Sequence, residues 1–432
     1  MAHALVVSPD GTTVFVAGDT YRQSKGTDYM TTAYTAATGA PRWTRYFNGA
    51  GDSGDYATSV AVSPDGARAF VTGSADFSSS SEPDFGTVAY NATTGARLWS
   101  KRYDGSAKAD VATAVAVSPD NSKVFVTGES WVAGSTDDYA TIAYDAATGA
   151  RLWTRRYDGP AHSFDSPVAI ARSPDGSAVY VTGSSYSPSD ANDFATVAYQ
   201  ASTGKRLWVT RYDGPGSKMD KAAAVAVSLD GARVIVTGSS FGGGDTQEDY
   251  ATIAYAAADG SQQWIKRYDG AAHQSDTPAA LAVSPDGQRV FVTGFGYEIP
   301  GNTYSTDAST IAYDPLTGNQ LWIAHYHGPA FYGSTGTRLA VSSDGTKLVV
   351  AGQTTDGLTG SDYLTLSYDA PTGTERWVAT YAGPGRYDQP GLGEDRPTGI
   401  GLSPGGSTAY VTGWSMEPTG LPDWVTIAYD NG

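Results

Sequence analysis

Carboxylates, histidines and one arginine are the residues whose types and spacing could do chemistry in this chain. Asp28, Asp84, Asp138, Asp193, Asp249, Asp307, Asp362 and Asp423 form one regular series, and Asp55, Asp110, Asp165, Asp220, Asp276 and Asp395 form a second. Rings of carboxylates collect cations, and Ca²⁺ takes oxygen ligands of this kind, although no EF-hand-like ligand spacing is present. The alternative is structural: each Asp accepts backbone N–H bonds and pins a loop. His325 and His327 flank Tyr326. Residues i and i+2 share a strand face, so the pair could bind a transition metal, but no third ligand is obvious. His162 and His273 sit in matching stretches, GPAHSFD and GAAHQSD. Each could carry a proton with Asp165 or Asp276, but matched placement reads as drift of a repeat rather than as catalysis. No nucleophile elbow, P-loop or zinc motif occurs.

What must position these residues is a repeat. The serine of VSPDG and its variants recurs at Ser8, Ser63, Ser118, Ser173, Ser228, Ser284, Ser342 and Ser403, at spacings of 55, 55, 55, 55, 56, 58 and 61. A period near this length marks a propeller or a solenoid. Each copy holds four strand-like runs, seen in the third as ATAVAVS, KVFVTGES, YATIAYD and RLWTRRY. They are rich in β-branched and aromatic residues and bounded by Gly, Pro, Asp or Asn turns. The expected fold is all-β, an eight-bladed β-propeller of four-stranded antiparallel blades. It fills residues 1–432 as one domain, with blades near 4–52, 53–107, 108–162, 163–217, 218–273, 274–331, 332–392 and 393–432. A solenoid is the alternative. The eighth copy stops at TIAYDNG, without the RLWxxRYDG run. Blade 8 is therefore expected to have three strands and an exposed edge through which the chain could self-associate.

Composition narrows the partners. There are 28 basic against 45 acidic residues, a formal charge of -17, and such a field repels nucleic acid and anionic membranes. No apolar run is long enough for a membrane-spanning helix. No cysteine is present, so disulfides, thiolate catalysis and Cys-ligated metals are excluded. The N-terminal MAHALVVSPDG enters a strand pattern at once, with no signal peptide in view.

Two motifs carry a family resemblance over the whole chain. SPDG followed by VFVTG resembles YVTN-type propellers, and AYDAATGxxLW, from Ala143 to Trp153, resembles the tryptophan-docking repeat of PQQ-type quinoproteins. The resemblance implies that Trp43, Trp99, Trp153, Trp208, Trp264, Trp322 and Trp377 each begin an outer strand and pack on the neighbouring blade, held by the TG turn. It also resembles exported propellers of unassigned activity, which implies an extracellular or secreted setting. Such blades host enzymes and inert scaffolds alike.

Ligand sites favour variable loops on rigid scaffolds. Here the SPDG and AATG turns are uniform while the other connections vary, so any site is expected on the variable, top face. Aromatics at Tyr21, Trp131, Tyr186, Phe241 and Tyr297 could form a lip for stacking sugars or could cover blade cores. The repeat breaks its own rules most in blades 6 to 8. Arg338 stands where the sister blades carry Ser59, Ala114, Ala169, Ala224, Ala280 and Gly399, and Ser334 replaces the second-series Asp. A guanidinium there needs a partner, either a ligand anion or Asp276 or Asp395. Blade 6 adds a long loop with Tyr297 and Tyr304; Phe331 and Tyr332 follow; Tyr387 lies in GPGRYDQPGLGEDRP; and blade 8 brings Trp414 and Trp424. The candidate ligand-binding set is thus Arg338, Ser334, Tyr297, Tyr304, Phe331, Tyr332, Tyr387, Asp395, Trp414 and Trp424. The expected function is non-catalytic binding of a glycan or protein. The alternatives are a lyase, lactonase or hydrolase using the same sector, and a PQQ-type dehydrogenase. Against the last, no tryptophan lies on an inner strand and the vicinal cysteines common in that family are missing. No metal is assigned, and the sequence names no cofactor.

Overall fold

The computed structural model describes residues 1–432 except 24, 52–53, 78–81, 106–107, 133–135, 189–190, 244–246, 300–304, 329–332, 356–359 and 385–392. The chain is an eight-bladed β-propeller. Seven blades are sheets of four antiparallel strands in sequence order, and the eighth has three. It divides into two compact units. One is His3–Tyr212, with blades 1 to 4; the other is Asp213–Gly432 together with Met1–Ala2, with blades 5 to 8.

Blade 3 shows why these sequences make these sheets. Its strands are β9 (Asp110–Val117), β10 (Lys123–Trp131), β11 (Asp137–Asp145) and β12 (Arg151–Tyr157). β9 turns into β10 through SPDN. The Ser118 hydroxyl donates to Asp120 (2.5 Å) and accepts the Lys123 N–H (2.8 Å), so one serine closes the hairpin. The fourth turn residue needs a left-handed backbone, which Asn121 adopts at φ 60° and Gly176 adopts at φ 72° in the next blade. β11 turns into β12 through AATG, where Asp145 accepts the N–H groups of Ala147 and Thr148. Between β9 and β10 the register slips at Thr113. This bulge turns its hydroxyl toward the next blade, where it donates to the Pro167 carbonyl at 2.9 Å. Thr58 does the same to Ala112 O, and Thr398 to Ala2 O.

Within a unit, blades pack face to face. Phe125, Tyr139, Trp153 and Tyr157 of blade 3 bury against Val179, Val181, Val197 and Tyr199 of blade 4. Burying each such side chain is worth about 1.5–3 kcal/mol. The outer-strand tryptophans dock as the repeat implied. Trp43, Trp99, Trp153, Trp264 and Trp322 each donate Nε1 to a carbonyl of the next blade at 2.9–3.1 Å. Trp377 donates instead to the side-chain oxygen of Asn431 (3.1 Å).

Candidate functional site

The second carboxylate series is structural. Asp55, Asp110, Asp165, Asp220, Asp276 and Asp395 are all buried. Each accepts the N–H of the glycine that opens the loop before it: Gly49, Gly105, Gly159, Gly214, Gly270 and Gly383, at 2.5–2.7 Å. Asp276 also takes the Tyr297 N–H at 2.7 Å, tying two connections together. Burial outweighs these bonds, raising the carboxyl of Asp55 to about 6 and that of Asp276 to about 7. Asp395 was expected to face a ligand. It is held inside by Gly383 N–H and Ser415, because a carboxylate at this position is needed to fold the loop.

The first series meets arginines of the outer strand. Asp84 pairs with Arg102, Asp138 with Arg156 (3.8 Å), Asp193 with Arg211 (2.8 Å) and Asp249 with Arg267 (2.7 Å). A third carboxylate, from the RYD motif, completes clusters that sequence reasoning missed: Asp84–Asp104–Asp110, Asp138–Asp158–Asp165 and Asp249–Asp269–Asp276, each with ligand-capable oxygens within 4.8 Å of one another. The repetition of RYD was the available signal. Each cluster offers three carboxylates where Ca²⁺ takes six to eight oxygens, and an arginine and backbone N–H groups already engage two of them. The same third carboxylate corrects the histidine pairing. His162 bonds Asp158 (2.6 Å) and His273 bonds Asp269 (2.7 Å), rather than Asp165 and Asp276. These partners raise the histidine pKa values.

Blade 6 separates its two histidines. Nδ1 of His325 lies 3.1 Å from Ser309 Oγ and 3.7 Å from Glu298, and Nδ1 of His327 lies 2.5 Å from buried Asp307. Among the described residues no histidine belongs to a cluster able to hold a metal. Glu298 is bound in turn by the Tyr268 hydroxyl at 2.5 Å.

Arg338 lies on β25 (Ser334–Val341), opposite Ala351 of β26 (Lys347–Thr355). Every other such pair in blades 2 to 8 sets a small residue against threonine, as in Ala114–Thr127 and Ala280–Thr293. Losing the threonine side chain makes room for the guanidinium. Arg338 is exposed to solvent yet walled by protein, and desolvation lowers its pKa. Its Nη1 donates to the carbonyl of Thr337 (2.8 Å), and among the described residues it pairs with no carboxylate. Among the described residues Arg338 forms no ion pair with Asp276 or Asp395, whose carboxylates accept backbone N–H groups instead. Ser334, expected on the ligand side, is buried and hydrogen-bonds Thr354 Oγ1 at 2.9 Å. With an uncharged side chain in the aspartate position, the polar pair closes the loop instead.

The aromatic lip divides. Lys108 sits over Trp131 at 4.4 Å and Lys218 over Phe241 at 4.1 Å, so these rings are capped by their own loops. Tyr297 contacts Phe295 (6.2 Å), and Tyr21 is 76% exposed. Tyr304, Phe331, Tyr332 and Tyr387 lie outside the described residues.

Blade 8 brings the rest together on β29 (Asp395–Leu402), β30 (Thr408–Met416) and β31 (Pro422–Asp430). Arg396 is in register with Trp414, and Trp414 with Trp424, forming one row across the sheet. The Arg396 guanidinium lies 5.9 Å from a Trp414 ring centroid. Arg396 was missed; its signal was a charge directly beside Asp395 on a half-exposed strand. A separate shallow pocket of about 270 Å³ lies at the SPDG-turn end of blades 5 and 6, lined by Leu229, Arg233, Asp286 and Leu316. It lies at the turn end, away from the expected sector.

Comparison with known proteins follows this geometry. BamB from Moraxella catarrhalis aligns with 16% identity and a TM-score of 0.54, over 98% of this chain and 95% of that one. Sqt1 of Chaetomium thermophilum, bound to the N-terminus of ribosomal protein L10, aligns with 13% identity and a TM-score of 0.61, over 99% and 96%. A europium-containing methanol dehydrogenase aligns with 15% identity and a TM-score of 0.53, over 94% and 81%. At these identities the likeness shows the fold alone. No curated protein matches the sequence. The PQQ_2 family, described as outer membrane protein assembly factor BamB, matches residues 27–187 and 143–307, well over half the chain. With its tryptophan-docked blades, the chain belongs to this family of PQQ-like repeat propellers.

Proposed function

We propose that this propeller is a non-catalytic binding protein of the exported, extracellular kind, which takes a glycan on the loop-end face of blades 6 to 8. The row Arg396–Trp414–Trp424 carries the reading. Sugar rings present C–H faces that stack on indoles, and a neighbouring guanidinium donates to hydroxyl or carboxylate oxygens. Trp414 and Trp424 are each partly exposed, and Arg396 is exposed. The titratable groups of the repeated clusters are engaged in loop bonds and ion pairs, which favours binding over catalysis.

The test is a glycan array probed with the full chain, then with Trp414→Ala and Arg396→Ala. Binding should fall at least about tenfold in Trp414→Ala, with the melting temperature little changed. Binding that survives Trp414→Ala, or no glycan bound while a protein ligand is captured, would overturn the reading.

Arg338 alone favours a second reading, an enzyme acting on an anionic substrate. On that reading Arg338→Ala abolishes turnover without unfolding the chain. A quinone-dependent activity would show as a thermal shift on adding PQQ and Ca²⁺.

A further inference from the structure

Two departures from the repeat meet at the turn end of blades 5 and 6. Six of the eight SPDG-type turns carry proline after the serine, whereas blade 5 carries Leu229. Two residues before the glycine of the AATG-type turn, the sister blades carry Ala37, Thr93, Ala147, Ser202, Ala258 or Pro371, and blade 6 carries Leu316. Both leucines line the pocket of about 270 Å³, and they are 55% and 60% exposed. Folding these turns does not require leucine, since the sister blades fold them without it. Apolar side chains left together in solvent and rimmed by polar groups mark a contact surface.

The rest of the lining is scaffold and charge. A Cβ on Gly287 would lie 3.4 Å from that of Leu229. Pro315 is buried, and its carbonyl accepts the Trp264 indole N–H at 2.9 Å, so it is fixed by the docking of blade 5 on blade 6. Asp230, Asp286 and Arg233 complete the polar side. Asp286 pairs with Arg289 at 3.1 Å. Asp230 uses one oxygen inside its own turn, on Ser228 and the Ala232 N–H. Its other oxygen reaches Arg233 only at 3.6 Å, and the side chain is 57% exposed. The lining thus holds two carboxylates against one guanidinium, on a chain with a formal charge of -17. Such a field favours a cationic occupant.

We propose that this pocket seats one bulky aliphatic or aromatic side chain of a partner protein, presented by an exposed segment in which lysine or arginine flanks it. Pockets that enclose whole small molecules measure about 300–1,000 Å³. One of about 270 Å³, bordered by two exposed leucines, suits a single side chain that stays attached to its own backbone. The apolar group covers Leu229 and Leu316 as an anchor, and the flanking cation settles on the open oxygen of Asp230. None of these residues belongs to blade 8, so the site is independent of the glycan reading.

The test titrates the full chain with acetyl-Gly-Lys-Leu-Lys-Gly-amide and follows the Nε1–H resonance of Trp264, which borders the pocket through Pro315. Saturable binding with a Kd of about 1 mM or tighter is expected. Peptides with serine for the leucine, or glutamate for both lysines, should bind at least about tenfold more weakly. Leu229→Pro and Leu316→Ala restore residues that the sister blades carry, so the double variant should fold and lose binding by about the same factor. Asp230→Asn keeps the turn acceptor and should weaken binding about threefold at low salt, a difference that about 1 M salt removes. No saturation by about 5 mM peptide, equal binding of the glutamate peptide, or binding indifferent to the double variant or to Asp230→Asn would each overturn the proposal. So would isopentylamine binding as tightly as the peptide, which would make this a small-amine site. A dimer in solution that Leu316→Ala dissolves would make a second copy the occupant and overturn it too. Trp414→Ala leaves the whole lining in place, so failure of the glycan reading is separable.

Discussion

Trp153 and Gly204 are held face to face across two blades: the indole lies where a side chain on Gly204 would begin, 2.6 Å from an ideal Cβ, with the glycine at φ 68°. Gly204→Ala therefore faces both a clash and a disfavoured backbone, and should cost about 2–4 kcal/mol. Trp153→Phe keeps the apolar face but loses the bond to Ala201 O, leaving a buried carbonyl, and should cost about 1–3 kcal/mol. Urea denaturation of each variant measures both. A cost below about 0.5 kcal/mol for Gly204→Ala would mean that the turn is not a docking socket.

Stability should peak in mild acid. Burial raises the carboxyls of Asp55 and Asp84 to about 6 and that of Asp276 to about 7, above the ordinary value of 3.8. Between those values the folded state holds protons that the unfolded chain has released, so stability falls as pH rises from about 4 toward 7. The turn carboxylates act oppositely. Ser118 and Ser122 hold Asp120 well below its ordinary range, and Ser342 with Thr346 lowers Asp344 to about 2, so their contribution is lost as pH falls below about 4. Melting temperature against pH should show a maximum near pH 4–5. In Asp276→Asn the decline from that maximum to neutral pH should be shallower.

Two arginines should respond in opposite ways. Arg267 donates to Ser240 and to Asp249, whose side chain is 5% exposed, so Arg267→Ala strands a buried carboxylate and should cost about 3 kcal/mol. Among the described residues Arg338 bonds only its neighbour's carbonyl, and Arg338→Ala should change stability by less than about 0.5 kcal/mol. Equal losses in the two variants would show that Arg338 has a structural partner.

Thr113 links blades through one hydroxyl, at 2.9 Å from Pro167 O. Thr113→Val keeps the shape and should cost about 1 kcal/mol, read as a lower denaturation midpoint with an unchanged m-value.

The architecture was legible because each blade restates the same local rules. Ser118 with Asp120, Asp145 with Thr148, and the left-handed glycines act within five residues, so their meaning survives without coordinates. Period and alternation then narrow the fold to a propeller, with a solenoid as the alternative, and the shortfall of one strand in blade 8 follows from counting. The site was less legible. Ser334 and Asp395 look like ligand groups by type and prove to be interior loop pins, since burial is set by which strand covers which. His325 and His327 share a strand face, yet Glu298 and Asp307 draw them to different partners, because acceptors from other strands compete for each ring. Arg396, Trp414 and Trp424 lie 18 and 10 residues apart in sequence and become one row only through the register of β29, β30 and β31.

Sequence by itself determined the eight sheets and their turns, because hydrogen bonds and side-chain periodicity over a few residues suffice to specify them, while the docking of the tryptophans was implied by the family resemblance. Tertiary structure alone decided which charges are paired, which are buried and which face remains open. Electrostatic free energy depends on distances between atoms remote along the chain and on the solvent excluded around them, and neither is written in any one repeat.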